Sequence, residues 1–190
     1  MKSRRITILM IFLVCFSIIH IVNDFEKYKA SALPKFYVDD DYNSETPGWQ
    51  EDHFNTIQSA IDSPNCTNGD RIIVYKGTYE ENLVINKSID LFGEDRSNTI
   101  IDGGNGAEIL ISSENVDISS FTITDSSSAN QISVEVKADN CKIVDNIIKN
   151  CRVGIFLNNS DSVTIAYNSI TGNDQGIFLS SSSHNIINKN

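Results

Sequence analysis

The first residues whose types and spacing could do chemistry form an acidic cluster near the start of the chain. The oxygen-bearing side chains at alternating positions are Asp39, Asp41, Asn43 and Glu45. Carboxylate and amide oxygens at this spacing are typical of calcium-binding loops. However, Ser44 stands where such a loop usually turns at a glycine, and no glutamate follows at the last ligand position. The cluster therefore predicts either a calcium site or a solvated acidic linker after a short strand, Phe36–Val38.

Soft metal ligands and general bases are sparse in the rest of the chain. After position 32 the sequence holds His53, His184, Cys66, Cys141 and Cys151, and no methionine. Copper and zinc sites need several such side chains at convergent positions, and no CxxC or histidine-rich spacing occurs. An odd number of cysteines also argues against a complete disulfide framework, although the spacing permits a Cys141–Cys151 bridge. We expect no cofactor other than calcium, and the catalytic residues, if any, are unknown.

Three asparagines lie in sequons for N-linked glycosylation. They are Asn65, Asn86 and Asn158, each followed two positions later by serine or threonine. The motif arises easily by chance in a chain rich in asparagine and serine. The three asparagines are therefore candidate glycan sites only if the protein is exported.

An internal repeat is the strongest pattern in the sequence. The tetrapeptide Gly-Ile-Phe-Leu occurs at 154–157 and again at 176–179, an offset of 22, and six apolar or core positions between 109 and 123 match positions between 134 and 148 at an offset of 25. Within each repeat, pairs of apolar residues alternate with polar residues, as in short strands with one buried face. Three short strands per repeat predict a parallel β-helix, an all-β solenoid of stacked coils.

Asparagine occupies one core position of this repeat in three successive coils. The residues are Asn146, Asn168 and Asn190. We predict a structural asparagine ladder, since stacked asparagines can hydrogen-bond to each other and to the turn backbone. By contrast, the outward-facing acids show no such regularity, and we expect them to form a solvated acidic surface. They are Asp117, Asp125, Asp139, Asp145, Asp161 and Asp174.

The part of the chain before the regular repeats predicts a short capping helix. Asn55 and Gln58 have the spacing of a helix-capping box, and Phe54, Ile57, Ala60 and Ile61 then share one helical face. We predict a helix over residues 56–63 that covers the open end of the first coil, because a solenoid needs a cap at its ends. At the other end the repeat reaches Asn190 in mid-coil. This predicts either that the chain is truncated there, which is the favoured interpretation, or that the last coil pairs with a partner.

The segment 1–32 has the pattern of an export signal or membrane anchor. Lys2, Arg4 and Arg5 precede an uncharged apolar run, Ile6–Val22. We therefore divide the chain into a signal or anchor (1–32), an N-terminal strand with its acidic linker (33–53) and the β-helix (54–190). The whole chain has a net charge of −10, which disfavours nucleic acid as a partner and leaves the segment 1–32 as the expected contact with a membrane.

At this point the sequence resembles a known family. The stretch FNTIQSAID…GDRIIVYKGTYEENLVINKSIDLFGE resembles the opening of pectin-lyase-like right-handed β-helix proteins. The GIFL coils resemble the NosD-type repeats of exported proteins, and YVDDDYNSETPGW resembles archaeal cell-surface proteins. The resemblance covers about Phe36 to Asn190, and it implies carbohydrate-binding or carbohydrate-cleaving relatives, surface proteins and a copper-delivery factor for nitrous oxide reductase.

These observations predict an exported cell-surface protein that binds or scaffolds, with polysaccharide or cell-envelope components as its partners. The alternative is a polysaccharide lyase or glycoside hydrolase of the same fold, with a site that could lie beyond position 190. Enzymes of this kind are expected to bring basic side chains and carboxylates from adjacent coils to one face, and the sequence alone reveals no such cluster. A copper-delivery role has the weakest support, because the soft ligands are few and scattered.

Overall fold

The structure is a computed structural model that describes residues 35–103, 108–125 and 132–190. The predicted export segment, 1–32, lies outside these described residues. Residues 34–190 form one compact unit. Within the described ranges, no helix is both long and apolar enough to cross a membrane.

Short parallel strands form three sheets: five coils contribute one strand to each sheet, and the first sheet has three further strands. The first sheet contains β1 (Phe36–Val38), β2 (His53–Phe54), β3 (Arg71–Val74), β6 (Asp90–Gly93), β9 (Asp117–Ser119), β12 (Lys142–Val144), β15 (Thr164–Ala166) and β18 (Ile186–Asn188). The second contains β4 (Gly77–Tyr79), β7 (Thr99–Asp102), β10 (Thr122–Thr124), β13 (Ile147–Lys149) and β16 (Ser169–Thr171). The third contains β5 (Leu83–Ile85), β8 (Ile109–Ile111), β11 (Ile132–Val136), β14 (Val153–Asn158) and β17 (Gln175–Ser180).

The register between strands is the one that the repeat predicts. Ile109 lies opposite Val134, and Ile155 lies opposite Ile177. These pairs have the same offsets that the sequence shows. Every third strand is therefore hydrogen-bonded to its equivalent in the next coil. The prediction of an all-β parallel solenoid is confirmed, with about five turns.

The core is a narrow column of aliphatic side chains inside the coils. Residues alternate between buried and outward positions along most strands, as in Arg71–Val74 and Leu83–Ile85. Ile, Val and Leu at the inward positions are fully buried through the middle coils. Because burying one such side chain is worth about 1.5–3 kcal/mol, these rows of side chains are a major source of the stability of the fold.

A short helix, α1 (Ile57–Asp62), lies where a helix was expected, but its first turn is capped differently. Thr56, not Asn55, is the N-cap residue, and its hydroxyl oxygen accepts a hydrogen bond from the backbone N–H of Ser59. The prediction of a capping box between Asn55 and Gln58 is therefore wrong. The capping box does not form because the Gln58 side chain hydrogen-bonds to the backbone of Val84 instead.

Hydrogen bonds to the next coil hold the helix in place and satisfy some of the backbone groups at both of its ends. The Gln58 amide accepts from the backbone N–H of Val84 (2.8 Å) and donates to its carbonyl (3.3 Å). The Glu81 carboxylate accepts from the first two helical N–H groups, at 2.7 and 3.0 Å, and Lys87 donates to the carbonyl of Ile61. The helix buries Ile57, Ala60 and Ile61 and contacts β1, β2 and β5.

The three predicted asparagines lie in one row at the bend between the first and second sheets, where Asn146 and Asn168 are buried and Asn190 is exposed. Each side-chain oxygen accepts the backbone N–H of the equivalent residue one coil earlier: Asn146 from Phe121, Asn168 from Asn146 and Asn190 from Asn168, at 2.9–3.1 Å. Each side-chain amide donates to a carbonyl of the same earlier coil, at 2.8–3.1 Å. The row thus satisfies backbone groups that the bend removes from the strand ladders.

The bend itself is made by a residue in the left-handed conformation directly before each member of this row. Asp145, Tyr167 and Lys189 precede the three asparagines, with φ of 57°, 59° and 54°. Ser120, with φ of 66°, precedes Phe121 at the equivalent position of the earlier coil. A left-handed residue turns the chain sharply within one position, but it costs about 1 kcal/mol for a side chain other than glycine. The hydrogen bonds of the asparagine row hold the bend in this conformation.

Two further asparagines use the same geometry at the other bends, and sequence analysis missed both. Asn173 accepts the backbone N–H of Cys151 at 2.9 Å and donates to an earlier carbonyl at 3.1 Å. Asn185 accepts the backbone N–H of Val163 at 2.7 Å and donates at 3.2 Å. Each asparagine lies 22 positions after the residue whose N–H it accepts, which is the repeat offset. The sequence repeat could therefore have identified both.

We predict that replacing Asn168 with alanine lowers the free energy of unfolding by about 2–4 kcal/mol. The change leaves the buried N–H of Asn146 and the carbonyl of Ile143 without partners, and each orphaned buried group costs about 1–3 kcal/mol. Urea denaturation measures the loss. The matched control is Asn55→Ala, since Asn55 is exposed and its loss is expected to stay within about 0.5 kcal/mol. Equal losses in the two variants would contradict the structural role of the row.

Candidate ligand-binding face of the first sheet

The outer face of the first sheet carries a column of charged residues that run across its strands. In-register pairing places Arg71 opposite Asp90, Asp90 opposite Asp117, and Asp117 opposite Lys142. Each residue directly precedes an inward-facing core residue, so all four side chains point outward. We call Arg71, Asp90, Asp117 and Lys142 the charged column.

The four residues of the charged column form two separate ion pairs. Arg71 contacts Asp90 at 3.1 Å, and Lys142 contacts Asp117 at 3.0 Å. The side chains retain between 20% and 43% of their exposure, so each pair is worth about 0–1 kcal/mol. The column therefore contributes little to stability, and it presents fixed donors and acceptors to solvent.

A second, largely apolar column runs beside the charged one. Its members in strand order are His53, Tyr37, Ile73, Phe92, Ser119, Val144 and Ala166. Phe92 is 39% exposed at the middle of the face. We call this row the apolar column.

Aromatic rings gather at the first strands of the apolar column. The Tyr37 and His53 rings stack at 5.1 Å between centroids, and Tyr42 packs against His53 at the same distance. Tyr75 lies 6.4 Å from Tyr37 and 6.3 Å from Tyr42. Burial raises the pKa of Tyr42, and the neighbouring Tyr75 and Asp39 add to the shift, so the Tyr42 hydroxyl stays protonated and can donate.

A shallow open groove of about 460 Å³ follows the charged column. Its lining residues are Asp90, Asn115, Asp117, Asn140, Lys142, Ser162 and Thr164. They come from four successive coils and offer carboxylates, amides, hydroxyls and one ammonium group. Such a lining suits a long polar ligand that crosses several coils.

The convergence of basic and acidic side chains on one face corrects the expectation from sequence. The sequence separations between Arg71, Asp90, Asp117 and Lys142 are unequal, so no constant offset connects them. What the four charged residues share in the sequence is that each directly precedes a core residue: Ile72, Leu91, Ile118 or Ile143. Aligning the coils on the core instead of on a fixed period would have found them.

The six acids predicted to face outward have three different environments. Asp145 pairs with Arg96 at 2.6 Å, Asp117 with Lys142, and Asp174 is exposed. Asp125 is 5% exposed, so its assignment to the solvated surface is wrong. It directly follows the strand Thr122–Thr124 of the second sheet.

Asp139 and Asp161 do recur at the repeat offset of 22, contrary to the expectation. The Asp139 carboxylate accepts the backbone N–H of Asp161 at 2.7 Å, and the Asp161 carboxylate accepts that of Ser183 at 2.6 Å. The bonds from the backbone and hydroxyl of Ser183 hold the pKa of Asp161 below its usual range. These two acids therefore connect adjacent coils as well as adding surface charge.

The predicted calcium ligands are only partly brought together. Carboxylate oxygens of Asp39, Asp40 and Asp41 lie within 4.8 Å of one another, and Asp40 was not among the residues predicted. Glu45 is outside this group, and its backbone N–H donates to the Asn43 side-chain oxygen at 3.0 Å. The loop thus presents three adjacent carboxylates instead of the alternating ligand set.

The three sequons differ in accessibility. Asn65 and Asn86 are exposed. Asn158 is half-buried and its amide donates to Glu135 at 3.1 Å, while the hydroxyl of Ser160 in the same sequon is fully buried. Only the first two sequons present an accessible asparagine to a modifying enzyme.

The soft ligands of the described residues are separated in space by the fold. Cys66, Cys141 and Cys151 are all buried and free, and burial raises the pKa of each thiol. Cys141 occupies the core position predicted for it, and no Cys141–Cys151 bridge is formed. His53 bonds to Asp52 at 2.7 Å, near the opposite end of the solenoid from His184.

Comparison with known proteins gives one family match. The model described as the right handed beta helix region matches residues 93–190. A cell surface glycoprotein of Methanothermus fervidus is 33% identical over 117 residues, which is 62% of this chain and 16% of that protein. The chain thus spans only a small part of the length of this relative.

Solved structures of similar architecture are pectin methylesterases. The enzyme PemA from Erwinia chrysanthemi is 16% identical, with a TM-score of 0.45, over 84% of this chain and 68% of that one. A pectin methylesterase in complex with a hexasaccharide is also 16% identical, with a TM-score of 0.44 and the same coverage.

Proposed function

The chain belongs to the right-handed β-helix family, and on that premise we propose that it is an exported cell-surface protein that binds carbohydrate through the outer face of its first sheet. The similarity to a cell surface glycoprotein supports the surface location. The basic start and apolar run of the segment 1–22 support export through a signal peptide or an anchor.

The observation that carries the proposal is the pairing of an apolar column with a charged column on one flat face. A sugar ring has an apolar face of C–H groups and an edge of hydroxyl groups. The rings of Phe92, Tyr37 and His53 offer surfaces on which the C–H face can stack. The carboxylates of Asp90 and Asp117 offer acceptors for the hydroxyl groups. Because adjacent strands are about 4.8 Å apart, these stacking surfaces and acceptors lie on neighbouring strands, where a polymer that crosses the strands can reach them in turn.

Charge favours a neutral polysaccharide as the ligand. Residues 33–190 contain 10 basic and 23 acidic residues, a net charge of −13 once the two acidic and five basic residues of 1–32 are left out. This field repels polyanions. Within the charged column, the basic residues are already paired with carboxylates, so they do not form a patch that attracts acidic sugars.

A carbohydrate-cleaving enzyme is the second candidate, and the charged column is the observation in its favour. Carboxylates and basic residues from four coils meet there, as expected for such an enzyme. However, the Lys142 ammonium is bound to the Asp117 carboxylate at 3.0 Å, so neither side chain can act on a substrate without breaking this ion pair. Release of reducing ends or unsaturated products from a bound polysaccharide distinguishes the two candidates.

We also propose that α1 closes the N-terminal end of the solenoid. Its support is that Gln58 bonds both backbone groups of Val84, in the place where a strand of a preceding coil would pair. Such a closure protects the edge of β5 from pairing with another chain.

We predict that Phe92→Ala weakens binding to a neutral polysaccharide about tenfold, because the stacking surface at the centre of the face is lost. The chain is first tested on an array of neutral and acidic polysaccharides. Affinity electrophoresis with the strongest neutral binder then compares the variants. Asp117→Asn is expected to weaken the same binding by removing an acceptor.

The matched control is Phe178→Ala, which removes an aromatic ring of similar exposure (45% against 39%) from the outer face of the third sheet. Its affinity is expected to match that of the unmodified protein. Equal losses for Phe92→Ala and Phe178→Ala, or a preference for acidic polysaccharides, would overturn the assignment of this face.

We predict that the protein from its native host carries glycans on Asn65 and Asn86 and none on Asn158. The reason is that the Asn158 amide and the Ser160 hydroxyl are engaged in hydrogen bonds, with Ser160 fully buried. Mass spectrometry of glycopeptides measures the occupancy of each site. A glycan on Asn158 would show that modification precedes folding of this coil.

A further inference from the structure

Glu108 is a buried acid that the proposed carbohydrate face does not use. It directly precedes β8, where its backbone N–H donates to the carbonyl of Ile132 and its carbonyl accepts from Leu83. Its side chain is fully buried, and neither carboxylate oxygen has a hydrogen-bond partner among the described residues. A buried carboxylate without a partner is strongly destabilising, so Glu108 needs either a proton or a cation to neutralise it.

The charges around Glu108 are negative. Asp125 follows β10 and is 5% exposed, and Asp102 ends β7. Burial, then Asp125 and Asp102, raises the pKa of Glu108 to about 8, and the nearby backbone N–H of Gly103 only partly opposes this shift. No basic side chain is among the groups that shift this pKa, and the adjoining segments 104–107 and 126–131 contain no ionisable residue.

Small and oxygen-bearing residues surround the carboxylate. A methyl group at Gly103 would lie 1.5 Å from Glu108 Oε2, so only glycine leaves room for the carboxylate here. The strand register places Asn82 one coil before Glu108 and Ser133 one coil after it. Asn82 Nδ2 lies 2.8 Å from the position of that methyl group, so the Asn82 amide must turn its oxygen inward to bind an ion. The buried Ser133 hydroxyl donates to Cys151 Sγ at 2.8 Å and keeps its oxygen lone pairs for an ion.

We propose that Glu108 and Asp125 bind a divalent cation, with calcium the best fit, at the bend between the second and third sheets. Carboxylate, amide and hydroxyl oxygens are hard ligands of the kind that calcium prefers. Asp102 adds negative charge to the site without being required as a ligand. The ion would neutralise the buried acids and join two successive coils at this bend.

The proposed site is separate from the three carboxylates at Asp39, Asp40 and Asp41. Those side chains lie in a surface loop of the first sheet, at half-buried or exposed positions. The two sites can therefore be removed independently, and a thermal response to calcium can be assigned to one or the other.

The pH dependence without metal follows from the raised pKa. Glu108 has an ordinary value of 4.5 when unfolded and about 8 when folded. Between these two values the folded protein keeps a proton on Glu108 that the unfolded chain has lost. The contribution of Glu108 to the free energy of unfolding is therefore greatest below about pH 4.5 and is lost as pH rises through about 8. Calcium replaces the proton, and its stabilising effect is expected to grow over the same range.

The test is thermal unfolding of the full chain in EDTA and in calcium, at acidic, neutral and alkaline pH. At a calcium concentration of about 100 times the dissociation constant, the melting temperature of the unmodified protein is expected to rise by about 5–10 °C. Glu108→Gln is expected to abolish the rise and, in EDTA at alkaline pH, to melt above the unmodified protein. Asp125→Asn provides a second variant if Glu108→Gln does not fold.

Two controls separate this site from other acids. Asp39→Ala/Asp41→Ala removes the surface loop cluster, and Asp174→Asn removes an exposed acid; both variants are expected to keep the response to calcium. Loss of the response only in Asp39→Ala/Asp41→Ala would overturn the proposal. A melting temperature that falls with rising pH but never responds to calcium would also overturn it, because the acid then binds a proton alone.

Discussion

In-register parallel pairing between successive coils is the constraint on which the rest of the molecule depends. Each strand is hydrogen-bonded to its equivalent in the next coil, so equivalent side chains form rows along the solenoid. An inward row has no access to water and must be apolar or must satisfy its own polar groups. The rows of isoleucine are apolar. The row of Asn146, Asn168 and Asn190 is polar, and its side chains hydrogen-bond to the backbone of the preceding coil.

The same constraint gives the outer faces their character. Residues far apart in sequence become neighbours about 4.8 Å apart, and a single substitution changes one member of a row without disturbing the others. The charged and apolar columns of the first sheet are two such rows. Since the core bears the stability, the outward rows are free to carry recognition, and this separation supports a binding role for the face.

An acidic chain of this kind must accommodate many carboxylates in a thin structure, and it does so in three ways. Asp117 pairs with a lysine of the next coil. Asp161 accepts backbone and hydroxyl hydrogen bonds from the next coil, which stabilises its charged form. Glu108 has neither kind of partner within the described part of the chain, and a buried acid in that condition is stable only with a proton or a cation beside it.

The sequence by itself determined the coil architecture, because period-2 alternation and the repeat offset depend only on which residues are apolar. It also located the asparagine row, since asparagine recurred at a core position. Only the tertiary structure decided which outward residues meet: Arg71, Asp90, Asp117 and Lys142 come together although their separations are unequal. It also decided that Asp125 is buried, because burial of a turn residue depends on how the neighbouring coils pack and not on the local pattern.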